Sequence, residues 1–311
     1  MTTERGRIHG SEGGVYQVVL ASGESVEASL RGRIKREARL GDRLVIGDAV
    51  EVRSDPDGSV TIESVLPRRT QVIRRGPGGR KAKVVAANVD RLVAVVAALR
   101  PSLTRALVDR LLVIGEANHL QTVLVVNKQD LLEETDPTEV RALESLYRRL
   151  GYPVLETSAK RAQGLDSLKA LLCQGTSALV GPSGAGKSTL LNAIQPGLSL
   201  RTAHLSEKVG RGRHTTVSAR LLALDCGGLV ADTPGFSDVG VWGVGAREVE
   251  GCFPEFTHFR EACRFRECTH IHEPGCRVRS ALEEGLIHSG RYESYRALFQ
   301  EAREADRRAF R

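Results

Sequence analysis

The chain has 311 residues, of which 41% are hydrophobic and 27% charged, and a formal net charge of +7. At roughly 100–200 residues per domain this length predicts two or three units, and the composition excludes a disordered or membrane-built chain. The longest strongly apolar run, Leu92 to Leu99, is far short of the roughly 18–20 residues of a membrane span, and the opening MTTERGRIHG has no apolar signal core, so a soluble cytoplasmic protein is expected.

Residues 1–75 read as short strands. GGVYQVVL, SVEASLRGRI, LVIGDAVEVRS and SVTIESVL alternate apolar and polar positions between ASGE, GDR and DPDG turns. Strands of this length with no helix between them predict a small barrel, most economically the five-stranded oligonucleotide-binding (OB) type. The basic excess is concentrated here, with 16 basic against 11 acidic residues in 1–83 and 12 against 12 in 240–311. Its densest part holds Arg68, Arg69, Arg74, Arg75, Arg80, Lys81 and Lys83 with no acid, as a solvated linker or as a contact to a phosphate backbone.

Beyond Lys83 strands alternate with helices. DRLVAVVAAL, TVLVVN, PVLETS, SALVG, VSARLLAL and GLVADTPG are the strands; RALVDRLLVIGEANH, PTEVRALESLYRRLG, GLDSLKALLC and GKSTLLNAIQ are the helices. This pattern predicts a mainly parallel sheet covered on both faces, within a domain spanning 76–239. After Phe236 no strand pattern recurs. The last stretch, Arg291 to Phe310, places Tyr292, Tyr295, Leu298, Phe299 and Ala302 on one helix face.

Gly181-Pro182-Ser183-Gly184-Ala185-Gly186-Lys187-Ser188-Thr189 follows a strand and opens a helix, the context a phosphate-binding loop requires. Glycines let backbone N–H groups turn inward around the phosphates and the helix start adds its dipole. Lys187 reaches the β- and γ-phosphates, and the Ser188 hydroxyl ligates Mg²⁺. Asn127-Lys128-Gln129-Asp130 ends another strand. A carboxylate at Asp130 accepts hydrogen bonds from guanine N1–H and its 2-amino group, which adenine does not offer. Asn127 bridges the base edge and the phosphate loop, Lys128 lies on the base face, and Ser158 and Ala159 of Thr157-Ser-Ala-Lys160 let backbone N–H groups approach the guanine O6. Asp232-Thr-Pro-Gly235 supplies a carboxylate for Mg²⁺ and the Gly235 N–H for the γ-phosphate, and Thr215 or Thr216 of KVGRGRHTTV is the Mg²⁺-sensing threonine of a first switch. Lys187 is thereby assigned to catalysis as well as binding.

Phe236 stands where many GTPases carry a water-orienting glutamine. A phenyl ring cannot do this, and His214 is the nearest alternative, unless it faces phosphate or solvent. The base-reading motifs precede the phosphate loop, the reverse of the usual order, which indicates a circular permutation. Its consequence is that the second switch runs directly into the C-terminal region.

Of six cysteines, Cys173, Cys226 and Cys252 are spread singly and are expected to be bystanders, whereas Cys263, Cys268 and Cys276 crowd together with His270. Three thiolates and an imidazole predict one structural Zn²⁺ rather than disulfides, with His272 and His258 as alternative ligands. A segment of 240–311 with few aliphatic residues needs such a staple.

The order NKQD, TSAK, GPSGAGKST, GRGRHTT, DTPGFSD, followed by C-x4-C-THIHEPGC and GLIHSGRYESYRAL, resembles the ribosome small subunit-dependent GTPase A family over nearly the whole chain. The resemblance implies an N-terminal OB-fold barrel (1–75), a central circularly permuted α/β P-loop GTPase domain (76–239) and a C-terminal, mainly helical zinc-binding domain (240–311). It also implies late maturation of the small ribosomal subunit, contact with its rRNA near the decoding region, and GTP hydrolysis stimulated by the subunit. Other assembly factors are further expected partners, the chain acting as a monomer. The family's switch histidine carries onto His214. Val217 departs from a threonine common in the family, which leaves the Mg²⁺ threonine open between Thr215 and Thr216. Two other classes fit parts of the sequence: a stand-alone nucleotide phosphotransferase and a non-catalytic GTP-binding RNA scaffold.

Overall fold

The computed structural model describes residues 2–31, 44–75, 82–198, 219–232 and 244–309. The N-terminal unit is a closed barrel of β1 (Thr2–Glu12), β2 (Val15–Leu20), β3 (Ser25–Leu30), β4 (Ala49–Ser54) and β5 (Val60–Val65). β1 pairs antiparallel with both β2 and β4, β3 pairs parallel with β5, and β4 with β5 completes the ring. Ile8, Val18, Ala28, Val50, Val52 and Ile62 fill it. The Gly13-Gly14 turn between β1 and β2 uses positive φ at both positions, which the twist of a two-residue hairpin demands.

The first strand is absent from the sequence pattern. TTERGRIHGSE is mainly polar, and it becomes a strand because it has a neighbour on each side. Gly6 makes room for one of them: a Cβ there would lie 2.5 Å from Val18 Cγ1.

The basic stretch is also more structured than a linker. β6 (Gln71–Arg75) and β7 (Ala82–Ala87) form an antiparallel hairpin whose Val72 and Ala86 pack into the core of the central domain, so the hairpin crosses the expected boundary at 75. Arg68 grips the fully buried Asp48 carboxylate with Nε and Nη2 at 2.7 and 2.9 Å, and Arg69 Nη2 lies 2.5 Å from Asp90 Oδ1. These two arginines tie the barrel to the central domain. Arg80 and Lys81 lie outside the described residues.

The central sheet has the order β10-β9-β8-β11-β13-β12 and continues through β12 into the barrel at Gly10↔Arg220. Its strands are β8 (Arg91–Ala97), β9 (Gln121–Asn127), β10 (Val154–Glu156), β11 (Thr176–Val180), β12 (Arg220–Ala223) and β13 (Leu229–Asp232), all parallel except β12. Helices α1 (Arg105–Ala117), α2 (Thr138–Arg149), α3 (Leu165–Leu172) and α4 (Lys187–Ile194) cover it. Every residue of β8 is buried; Leu92, Ala94 and Val96 join the core with α1, while Val93 and Val95 join that with α3 and α4.

Cys173 and Cys226 are not bystanders. They form a disulfide, 53 positions apart, because the end of α3 and the β12–β13 turn meet at the same end of the sheet. Among the described residues no helix is long and apolar enough to cross a membrane.

The C-terminal region consists of short turns, α5 (Thr257–Arg260), α6 (Arg277–Glu283) and α7 (Ser289–Ala309). The expected α7 face, Tyr292, Tyr295, Leu298, Phe299 and Ala302, is buried. Its core is richer than the aliphatic content suggests: Phe253 stacks on Phe256, both meet Tyr295 edge-on, Tyr292 and Phe299 pack at a tilt against Tyr295, and Val113 of α1 joins them.

Candidate nucleotide site and metal centre

Among the described residues, 127–130, 157–160, 181–189 and Asp232 lie at the C-terminal ends of β9, β10, β11 and β13. Gly181, Gly184 and Gly186 have φ of +148°, +80° and +94°. At two of them no side chain fits: a Cβ would lie 2.0 Å from the Val95 carbonyl oxygen at Gly181 and 2.3 Å from Asn127 Nδ2 at Gly186. The loop therefore closes tightly on β8 and β9. Ser183 and Gly184 are exposed at its tip, Ala185 is buried, and Pro182, Ser188 and Thr189 line its flanks.

Asn127 is buried at the centre of this arrangement. Its Nδ2 donates to the Ala185 carbonyl at 3.0 Å, and its Oδ1 accepts from Thr157 Oγ1 at 3.2 Å. One side chain thus locks the phosphate loop, β9 and the TSAK segment together. The role of Thr157 is not legible from the sequence, because it depends on two strand ends lying side by side. Ser158 Oγ donates to Asp130 Oδ1 at 2.6 Å, and the Arg161 N–H donates to Ser158 Oγ, fixing the carboxylate that would read guanine. Lys128, with φ of +62°, donates to the Arg100 carbonyl, and burial lowers its ammonium pKa. The Gln129 side chain turns inward and donates to Glu144 Oε1 at 2.8 Å, and its backbone N–H donates to the Thr157 carbonyl at 3.1 Å.

Lys187 Nζ donates to the carbonyls of Gly181 and Pro182 at 2.6 and 3.0 Å, which holds the ammonium across the mouth of the loop. Burial lowers its pKa, opposed by the charge of Asp232. Asp232 keeps solvent contact at the end of β13, yet its surroundings desolvate the carboxyl enough to raise it, with Lys187 and Arg220 opposing. Ser188 opens α4. His214, Thr215, Thr216 and Gly235 lie outside the described residues.

The second site is the predicted cluster. The ligand atoms of Cys263, Cys268, His270 and Cys276 all lie within 4.8 Å of one another, and His258 and His272 are exposed outside it. His270 Nδ1 is 3.6 Å from Cys263 Sγ and 3.4 Å from Cys276 Sγ, and those sulfurs are 4.0 Å apart. Tetrahedral zinc with Zn–S of about 2.3 Å and Zn–N of about 2.0 Å requires edges of this size. Burial and the neighbouring thiols Cys276 and Cys263 push the Cys268 thiol well above its ordinary range, and a bound cation would favour its thiolate. The donor set and spacing fit Zn²⁺.

Glu250 completes the centre and has no sequence signal, being twenty residues from its partner. Its Oε2 lies 2.8 Å from His270 Nε2, which leaves Nδ1 facing the cysteines. Tyr292 and Tyr295 of α7 donate to the carbonyls of His270 and Thr269 at 2.6 and 2.5 Å, mounting the cluster on the aromatic core.

The model of the RsgA GTPase family matches residues 65–242. The small ribosomal subunit biogenesis GTPase RsgA of Gemmatimonas aurantiaca is 46% identical over 297 residues, covering 94% of this chain and 96% of its own. The same-named protein of Thermotoga petrophila is 41% identical over 280 residues, 90% of each. Among solved structures, YjeQ from Thermotoga maritima superposes with a TM-score of 0.81 at 38% identity, covering 97% of this chain and 99% of that one. YloQ, described as a circularly permuted GTPase, superposes with a TM-score of 0.77 at 31% identity, covering 98% and 96%.

Proposed function

The chain belongs to the RsgA GTPase family, and from that premise we propose that it hydrolyses GTP to GDP and phosphate during late maturation of the small ribosomal subunit, whose binding stimulates the reaction. The observation that carries the nucleotide assignment is Asn127, which joins the base-reading and phosphate-binding segments through Thr157 and Ala185. Asp130, oriented by Ser158, accepts the guanine N1–H and 2-amino hydrogens, and Ala159 leaves the O6 approachable. Residues 181–189 wrap the phosphates, with Lys187 neutralising charge that develops on them.

Ser188 and Asp232, with Thr215 or Thr216, would hold Mg²⁺, which would supply charge compensation for the phosphates. Gly235 would meet the γ-phosphate, and His214 is assigned to orienting water because Phe236 cannot. Cys263, Cys268, His270 and Cys276 would hold one Zn²⁺. Four protein ligands leave it no open position, so its contribution is to fix the fold of the C-terminal unit.

Three units, 1–75, 76–239 and 240–311, divide the work: the barrel and the zinc unit grip rRNA, and the central one sets affinity through its nucleotide state. With Arg68 and Arg69 engaged by Asp48 and Asp90, the phosphate contacts of the basic stretch fall to its remaining cations. The chain acts as a cytoplasmic monomer alongside other assembly factors.

The test is GTP turnover by the purified chain with and without isolated small subunits. Slow turnover alone and a large increase with subunits is the expected result; equal rates overturn the coupling. Phosphoryl transfer to an acceptor other than water would favour the phosphotransferase reading, and full cellular function of Lys187→Ala would favour the scaffold.

A further inference from the structure

At the end of the sheet remote from the phosphate loop, two segments distant in sequence meet backbone to backbone. Cys173 caps the C-terminus of α3, the β12–β13 turn carries Cys226, and their sulfurs are bonded with Cα atoms 5.4 Å apart. The apposition has other supports. The Leu229 N–H donates to the Gly175 carbonyl at 2.9 Å, and β11 and β13 pair in parallel from Thr176↔Leu229 onward. A Cβ on Gly228 would lie 1.9 Å from the Leu172 carbonyl oxygen. The sheet therefore brings the two cysteines together whether or not they are bonded.

Cys226, at the turn, is the exposed member of the six cysteines, and Cys173, like Cys263, is half-buried. Cys252 is buried, and Cys263, Cys268 and Cys276 share the cluster with His270. An exposed disulfide is open to attack by a dissolved thiolate and is the labile kind.

We propose that Cys173 and Cys226 are a reversible redox staple, opened and closed by low-molecular-weight thiols and disulfides of the glutathione class. In closing, the Cys226 thiolate attacks one sulfur of the small disulfide, forming a mixed disulfide and releasing one small thiolate. The Cys173 thiolate then attacks the Cys226 sulfur and expels the second. Two protein thiols lose two electrons and two protons, and one small disulfide becomes two thiols; opening is the reverse.

In sequence, the segment closed between Cys173 and Cys226 contains the phosphate-loop residues 181–189. The disulfide fastens the entry ends of β11 and β13, whose exit ends lead to the phosphate loop and to Asp232. A cross-link spanning this much chain acts chiefly on the unfolded ensemble, so its first effect is on stability.

The experiment equilibrates the zinc-loaded chain in glutathione and glutathione disulfide at graded ratios, quenches with acid, and alkylates the denatured protein with a chelator present. Of the six cysteines, four should alkylate at the oxidising end and six at the reducing end, in a single transition, with Cys173 and Cys226 recovered as the joined peptide. The oxidised chain should melt about 5 °C above the reduced one, and Cys226→Ser should abolish that gap while keeping its zinc. Six reactive thiols at every ratio, a different joined pair, or equal melting of both forms overturns the proposal. None of these readouts involves GTP turnover, so failure here leaves the GTPase reading standing, and failure of that reading leaves this one.

Discussion

Arg291 Nη1 lies 2.7 Å from Asp109 Oδ1, and both side chains are fully buried. Arg291 belongs to α7 of the C-terminal unit and Asp109 to α1 of the central one, so a buried ion pair joins them. The guanidinium also holds both oxygens of Glu255, at 2.7 and 3.0 Å, and lies over the Phe253 ring at 4.4 Å. Tyr147 of α2 donates to the same Asp109 oxygen at 2.6 Å. The junction is reinforced at the surface, where Arg110 reaches Glu301 with two hydrogen bonds. The C-terminal unit is therefore seated on α1 both in the core and at the surface.

Arg291→Ala leaves Asp109 and Glu255 buried without their cation and should cost about 3–5 kcal/mol. Urea unfolding checks the size, and hydrogen exchange should show α1 and α7 losing protection together. Loss of protection in α7 alone would contradict a shared junction.

Asp130→Asn should weaken GTP binding at least about tenfold, since each hydrogen bond to a charged acceptor is worth about 1.5–3 kcal/mol. Xanthosine triphosphate should bind better than GTP, because the amide can donate to its extra carbonyl. Titration of both nucleotides decides this, and unchanged GTP affinity would remove Asp130 from the base site.

Gly181→Ala should abolish tight nucleotide binding while leaving the fold intact. Its Cβ would stand 2.0 Å from a backbone oxygen of β8, so the loop has to move. Circular dichroism together with nucleotide titration separates this from unfolding; retained affinity would mean the loop has another closed conformation.

Elemental analysis should find one zinc per chain, lost on Cys268→Ser. Glu250→Gln should retain zinc but release it to a competing chelator with about 10–100-fold lower affinity, since an outer carboxylate orients the ligating imidazole. Unchanged zinc affinity would reduce the Glu250 contact to packing.

What the sequence determined by itself is what local spacing can encode. The phosphate loop carries its glycines at fixed offsets, the cysteine cluster falls within one short segment, and the alternation of strand and helix from Asp90 to Asp232 follows from periodicity. Even the reversed motif order is a linear fact. Tertiary structure alone decided whatever depends on partners supplied from elsewhere in the chain. β1 is a strand because β2 and β4 complete its ladders, not because its side chains alternate. Gln129, inside a nucleotide motif, faces Glu144 because the helix packed behind it offers a buried acceptor. Arg68 and Arg69 resemble phosphate ligands in the sequence but find Asp48 and Asp90 in the fold. Cys173 and Cys226 are unrelated residues until parallel pairing of β11 with β13 brings their segments together. A buried charge or a polar strand is stable only with its partner present, and the partner's position is a property of the folded chain.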